Sequence, residues 1–265
     1  MCNRARMLGE AETIIEHFNA GWITEKPMDN RFDPVELRPK GRAYVVRQHD
    51  GVRGLDVMAW DVLGGAAAWP MTNVRNLAPS QWKALASKPE QRCLVPLTEF
   101  CEWTPGTHDL DDGKKPLKGE MWFQVTDQPI FAVAGFWQHT KEGVGFTMVT
   151  CDPNELVAPI HPKAMITVLH PDDHERWLTG SYDDVRALQC PYPADQMRSG
   201  GRCFLRAKRT LVCKKPVGPH YLSLCIALPD YSILPSIGLK SVVTHPALEP
   251  HEVFSERLPE SRLMN

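Results

Sequence analysis

Between residues 43 and 170 the sequence cycles through short β-forming runs and turn-forming residues, with no sustained helical period in between. AYVVRQ (43–48) and GLDVMAW (54–60) flank the polar stretch HDGVRG and predict a hairpin. RCLVPLTEFCEW (92–103) follows as a strand, then MWFQVT (121–126), PIFAVAGFWQ (129–138), GFTMVTCD (145–152) and MITVLH (165–170). The helical signals are brief. Ile14, Ile15 and Phe18 share one face of residues 9–20, and Ser80 is placed to cap a helix carrying Trp82 and Leu85. HPDDHERWLTG and DDVRALQ complete the set, with Asp172 and Asp173 near the positive end of the former. This pattern predicts an α+β domain, rich in β, with a strongly bent or barrel-like antiparallel sheet and a few short helices. Residues 26–42, 61–72 and 105–119 are the predicted loops; the second is Gly/Ala-rich and carries a single large aromatic, Trp69.

At 43% hydrophobic, 265 residues suffice for a sizeable core in one large domain or two modest ones. The formal net charge of −2 excludes a globally basic nucleic-acid coat but leaves local patches open. The charge is unevenly spread: residues 1–200 hold 21 Lys/Arg against 27 Asp/Glu, and residues 201–265 hold 9 against 5. From residue 200 the chain shows scattered prolines and no period, so a domain over 1–198 and a C-terminal extension over 199–265 are expected. No apolar run reaches the 18 residues of a membrane span. The eight cysteines contain no C-x-x-C, and the N-terminus lacks the apolar core of a signal peptide. A cytoplasmic protein with free thiols, no metal and no cofactor is expected.

Several polar residues stand inside apolar surroundings. Glu102 lies between Cys101 and Trp103, His161 follows LVAPI, and Asn73 and Arg75 follow the Gly/Ala loop. Singly, each has an ordinary explanation: an outward strand carboxylate, a hydrogen-bonded histidine, a turn-forming asparagine. Cys2 is different by position. Removal of Met1 exposes an α-amine and a thiol on one residue.

Taken together and in order, MCNRAR, WPMTNVRN, RCLVPLTEFCEW, AGFWQ, TMVTCD and APIHPKAMITVLHPDDHERWL resemble the SOS response-associated peptidase (SRAP) family of abasic-site processing proteins. The resemblance covers residues 1–198. It implies a catalytic set of Cys2, Asn73, Glu102 and His161, and a single β-rich domain with a positive groove leading to Cys2. It also implies removal of Met1 by the protein itself, and a covalent bond between Cys2 and an abasic site in single-stranded DNA. Arg4 and Arg75 are the expected phosphate contacts and Trp69 the expected base-stacking residue, with Arg38, Lys40, Arg42 and Arg47 as further candidates. A bacterial or phage source and a monomer are expected. The sequence departs from the family at Asn3, where Gly is common, at Asp61, where Gly commonly follows the tryptophan, and at Ile166, where Pro is usual.

The chemistry suits these residue types. An abasic site presents an aldehyde at C1′, and an α-amine with an ordinary pKa of about 7.7–8.0 is free to attack at neutral pH where lysine is not. The thiol can then close a five-membered thiazolidine in an effectively unimolecular step. Glu102 and His161 supply proton transfer, and Asn73 a donor and an acceptor. Two other functions fit the same chain: a cysteine peptidase acting on proteins, and a non-covalent single-strand DNA-binding module.

Overall fold

The computed structural model describes residues 2–23, 36–107, 118–204 and 210–211. All of these fall in one compact unit, Met1–Ala227; the other unit, Leu228–Asn265, lies outside the described residues.

Five strands form the central sheet: β1 (Arg42–His49), β2 (Val52–Ala59), β3 (Arg92–Leu97), β4 (Phe131–Thr140) and β5 (Gly143–Cys151). Their order is β5-β4-β3-β1-β2, every neighbouring pair antiparallel. A parallel bridge between Ala59 and Gly145 joins β2 to β5 and closes the sheet into a barrel. Closure depends on Gly145, because a Cβ there would stand 2.2 Å from the Asp61 carbonyl oxygen. The expected bent, barrel-like α+β fold is the one observed. The hairpin turn is tighter than HDGVRG suggested. Asp50 and Gly51 alone make it, both with positive φ (50° and 81°), the two-residue Asp-Gly turn that matches strand twist.

The barrel strands bury both faces, which explains their near-continuous apolar sequence. Alternate residues go to two cores. Val45, Cys93, Val95 and Met148 share one with Phe100 and Phe123 of a second sheet. Val46, Leu94, Ala134 and Phe136 pack on the other side against helices α1 (Ala11–Phe18), α2 (Ser80–Ala86), α3 (His174–Thr179) and α4 (Tyr182–Leu188).

The second sheet runs Thr210–Leu211, Met197–Phe204, Glu120–Val125, Glu99–Trp103, Ala5–Arg6, Glu36–Leu37, all antiparallel. Residue 198, the expected end of the domain, is the second residue of one of these strands.

Three local expectations need correction. Residues 92–103 are two strands in two sheets, not one. The chain changes sheet at Thr98, whose N–H and hydroxyl both donate to the Arg6 carbonyl (2.8 and 3.1 Å). MITVLH is likewise two short strands, Met165–Ile166 on β5 and Val168–Leu169 on β4, filling the gap where the β4–β5 hairpin splays apart. Thr167 holds both sides, donating its N–H to Val149 and accepting from the Ala134 N–H, each at 2.9 Å. Finally, Ser80 does not cap α2. Pro79 occupies that position, and the turn before it is tied by Asn76 Oδ1 accepting from the Ala78 N–H at 3.0 Å.

Candidate active site at the N-terminus

The N-terminal strand is the device that presents Cys2. Ala5 pairs with Phe100, and the Cys101 N–H donates to the Arg4 carbonyl at 2.9 Å, so the chain before Ala5 runs back along Cys101 and Glu102. Cys2 is 1% exposed. Its thiol donates weakly to the carbonyls of Arg4 (3.4 Å) and Cys101 (3.6 Å). Burial, reinforced by the carboxylate of Glu102, pushes this thiol well above its ordinary pKa. The sulfur is therefore held as a thiol.

Asn73 arrives from the other sheet. Asn73–Val74 pairs parallel with Met148–Val149 of β5, which buries Val74 toward the helices and leaves Asn73 facing the N-terminus. Its Nδ2 donates to the Cys2 carbonyl at 2.7 Å and to Thr72 Oγ1 at 3.0 Å. Thr72 in turn donates to Asn3 Oδ1 at 3.2 Å. Asn3 therefore has a place in the site despite departing from the family pattern. Thr72 escaped the sequence argument; its one signal was adjacency to Asn73.

Glu102 is also 1% exposed, and its Oε1 is buried with no hydrogen-bond partner among the described residues. Burial drives its carboxyl up to about 7, and the positive charge at the chain's N-terminus draws it partly back. The same N-terminal charge acts on His161, which burial first of all holds below its ordinary value. His161 Nδ1 lies 2.7 Å from the Ala164 carbonyl oxygen. The Ala164 N–H also approaches Nδ1, at 3.2 Å, so the backbone of Ala164 holds that side of the ring through both of its polar groups. Asn73 thus holds the Cys2 carbonyl, the charge at the chain's N-terminus bears on both Glu102 and His161, and Asn73 Oδ1 is buried with no hydrogen-bond partner among the described residues.

A family model described as SOS response associated peptidase (SRAP) matches residues 1–200. The chain belongs to the SRAP family. Among curated relatives, the abasic site processing protein YoqW of Bacillus subtilis strain 168, also carried by Bacillus phage SPbeta, is 28% identical over 217 residues. That alignment covers 75% of this chain and 91% of the relative. The abasic site processing protein YoaM of the same bacterium is 25% identical over 218 residues, covering 75% of this chain and 89% of its own. Two crystal structures share the fold. One, of a Bacteroides thetaiotaomicron protein, has a TM-score of 0.62 at 20% identity, covering 76% of this chain and 91% of that one. The other, from Bordetella bronchiseptica, scores 0.58 at 21% identity and covers 76% and 99%.

The basic residues of this SRAP chain sit in varied company. Arg4 bonds Glu36 (2.8 and 3.1 Å) and Glu120 and lies over the Trp122 ring, a cluster that also holds Arg6 and Glu99. Arg47 is bound to Asp56 at 3.0 Å and stacks on Trp137. Arg38 pairs with Glu36 and is largely exposed, as are Lys40 and Arg42. Arg75 donates to the carbonyls of Cys151 (3.1 Å) and Lys163 and pairs with Asp152, so it steadies the segment that carries His161. Trp69 is 82% exposed. No helix among the described residues is long and apolar enough to cross a membrane.

Proposed function

We propose that this protein processes abasic sites in single-stranded DNA by covalent capture on Cys2. Hydrolysis of the Met1–Cys2 bond by the protein itself releases Met1 and frees the Cys2 α-amine. The amine adds to the C1′ aldehyde of the opened deoxyribose. Loss of water gives an imine, and the thiol adds across it, its proton passing to nitrogen, to leave a thiazolidine. The capture, from free amine to thiazolidine, releases one water.

The observation that carries this reading is the hydrogen bond by which Asn73 holds the Cys2 carbonyl at 2.7 Å; the N-terminal charge that acts on both Glu102 and His161 supports it. A carboxyl group titrating near 7 is half protonated at neutral pH, so Glu102 can protonate O4′ as the sugar opens and later accept a proton from the thiol. His161 is the second proton relay, and Asn73 keeps the amine and thiol aligned on C1′. Arg4, Arg75 and Trp69 are the contacts to phosphate and base. A peptidase acting on other proteins fits less well, because such enzymes lower the pKa of their cysteine, and here burial beside Glu102 raises it.

The test uses the Met-processed chain and a single-stranded oligonucleotide bearing one abasic site. A heat-stable shifted band on a denaturing gel, absent for Cys2→Ala and for DNA without the lesion, is expected. Binding to DNA without any covalent band removes the capture mechanism and leaves a binding module.

A further inference from the structure

We infer that Asp61 is a positioning residue that ties the exposed Trp69 to the Cys2 pocket, an inference that rests on the capture reading above. Residues 61–72 leave the barrel at the seam between β2 and β5 and return to it at Asn73. The Asp61 side chain is 4% exposed. Its Oδ1 accepts from the N–H groups of Leu63 (3.2 Å) and Met71 (2.9 Å), and its Oδ2 from that of Gly65 (3.2 Å). A buried carboxylate is tolerated because three amide donors replace its water.

Those three bonds close the loop on itself. Met71 is gripped twice, through its N–H by Asp61 and through its carbonyl by the Val62 N–H at 3.3 Å. Gly64 and Gly65, with φ of 50° and 75°, lie so close to the β4–β5 turn that a Cβ would meet Thr140 and Glu142 at 2.2 and 2.3 Å. Between Gly65 and Met71 the sequence is AAAWP, and residues 66–69 are all exposed. Apolar burial therefore cannot fix Trp69. Backbone bonds from Gly64 N–H to the Asp61 carbonyl (3.1 Å) and from Ala66 N–H to the Leu63 carbonyl (3.0 Å) shape the first turn, and the carboxylate joins that turn to Met71 at the far end of the segment.

The other side of the pinch is the pocket. Thr72 is held separately, its carbonyl accepting from Trp60 Nε1 (2.7 Å) and the Met148 N–H (2.9 Å), and it and Asn73 reach Asn3 and Cys2. Asp61 thus sets where the stacking aromatic stands relative to the thiol, while Asn73 keeps its own anchors. A pre-ordered tryptophan loses less freedom when a base stacks on it. Removing Asp61 should weaken engagement of DNA and leave the bond-forming steps nearly intact.

The experiment measures crosslinking rate against DNA concentration with the full, Met-processed chain. For Asp61→Ala, the half-saturating concentration of abasic oligonucleotide rises about fivefold to twentyfold while the saturating rate stays within about threefold. Asp61→Asn, which keeps shape and one acceptor oxygen, falls between the two and covers the case that Asp61→Ala misfolds. In a Trp69→Ala background the Asp61 change adds less than about twofold. A reduced saturating rate at unchanged half-saturation, or an equal further loss in the Trp69→Ala background, overturns the inference. Hydrogen exchange on the free protein gives a readout independent of crosslinking: the amides of Leu63, Gly65 and Met71 lose protection in the variants while those of Asn73 and Val74 keep it. Unchanged protection at the first three overturns the inference too. Failure of the wild-type chain to crosslink sinks the capture reading alone.

Discussion

Asn73 Nδ2 donates to the main-chain carbonyl of Cys2 at 2.7 Å, a buried hydrogen bond between residues 71 positions apart. It joins a strand on the barrel to the first residues of the second sheet, so the geometry of the site depends on how the two sheets meet. Asn73 Oδ1 is buried with no hydrogen-bond partner among the described residues, an acceptor at the same place. Asn73→Ala removes both functions. A buried hydrogen bond of this kind contributes about 1–3 kcal/mol, so crosslinking should slow by about tenfold to a hundredfold. Binding to intact single-stranded DNA should change by less than about twofold, which parallel gel-shift titrations would check. Equal losses in both measurements would mark Asn73 as structural.

Glu102 predicts a trade between stability and activity. Its folded-state carboxyl titrates near 7 instead of 4.5, so the folded protein holds this proton more tightly than the unfolded chain. The associated stability is complete below pH 4.5 and is lost as the pH rises through 7. At about 1.4 kcal/mol per unit, Glu102→Gln should stabilise the protein at pH 8 by up to about 3 kcal/mol and do little below pH 4.5. The same variant should crosslink at least about a hundredfold more slowly and lack the decline in rate above pH 7 expected of the wild type. Denaturant melts and rate profiles at the two ends of this range would test both halves.

Singly, Asn73, Glu102 and His161 had ordinary explanations in the sequence; it was their order with Cys2, matching the SRAP pattern, that marked them as a candidate site. The barrel was legible because short β-forming runs and the turn-forming residues between them, HDGVRG among them, are local signals. What was hidden depended on contacts between distant segments. Thr98 gives no local sign that the chain changes sheet there, since residues on both sides of it have strand character. The ties on Arg4, Arg47 and Arg75 were equally invisible, because Glu36, Asp56 and Asp152 are ordinary acidic residues until the fold brings them near. Asp61 registered only as a mismatch with the family pattern.

Arg92 has no part in the chemistry and predicts a large effect on stability. It is fully buried on β3, donating to the carbonyls of Ala86 (3.0 Å), Trp177 (3.1 Å) and Gly180 (2.7 Å). It thereby ties the C-terminal ends of α2 and α3 to the barrel. Arg92→Met keeps much of the volume and strands three carbonyls, so a loss of about 3–5 kcal/mol is expected. Calorimetry should show a midpoint lower by about 6–15 °C, with the crosslinking rate of the folded fraction at 20 °C unchanged.

His174 predicts an acid limb in stability. Its ring packs 5.5 Å from Phe18, and burial, with Arg53 and His17 nearby, lowers its pKa to about 4. The unfolded chain therefore takes up the proton first. Stability should be complete above pH 6.5 and decline as the pH falls toward 4, by up to about 3 kcal/mol. His174→Phe should flatten that decline in melts recorded between pH 7 and 4; an unchanged slope would assign the acid limb to other groups.

Covalent capture at Cys2 is tested most directly by the intact mass of the product formed from the Met-processed chain and an abasic oligonucleotide. The expected mass is the sum of the two reactants less one water, with the modification on the N-terminal peptide beginning at Cys2 and no product from Cys2→Ala. Recovery of both reactants at their original masses, from protein whose mature N-terminus is verified as Cys2, would contradict it.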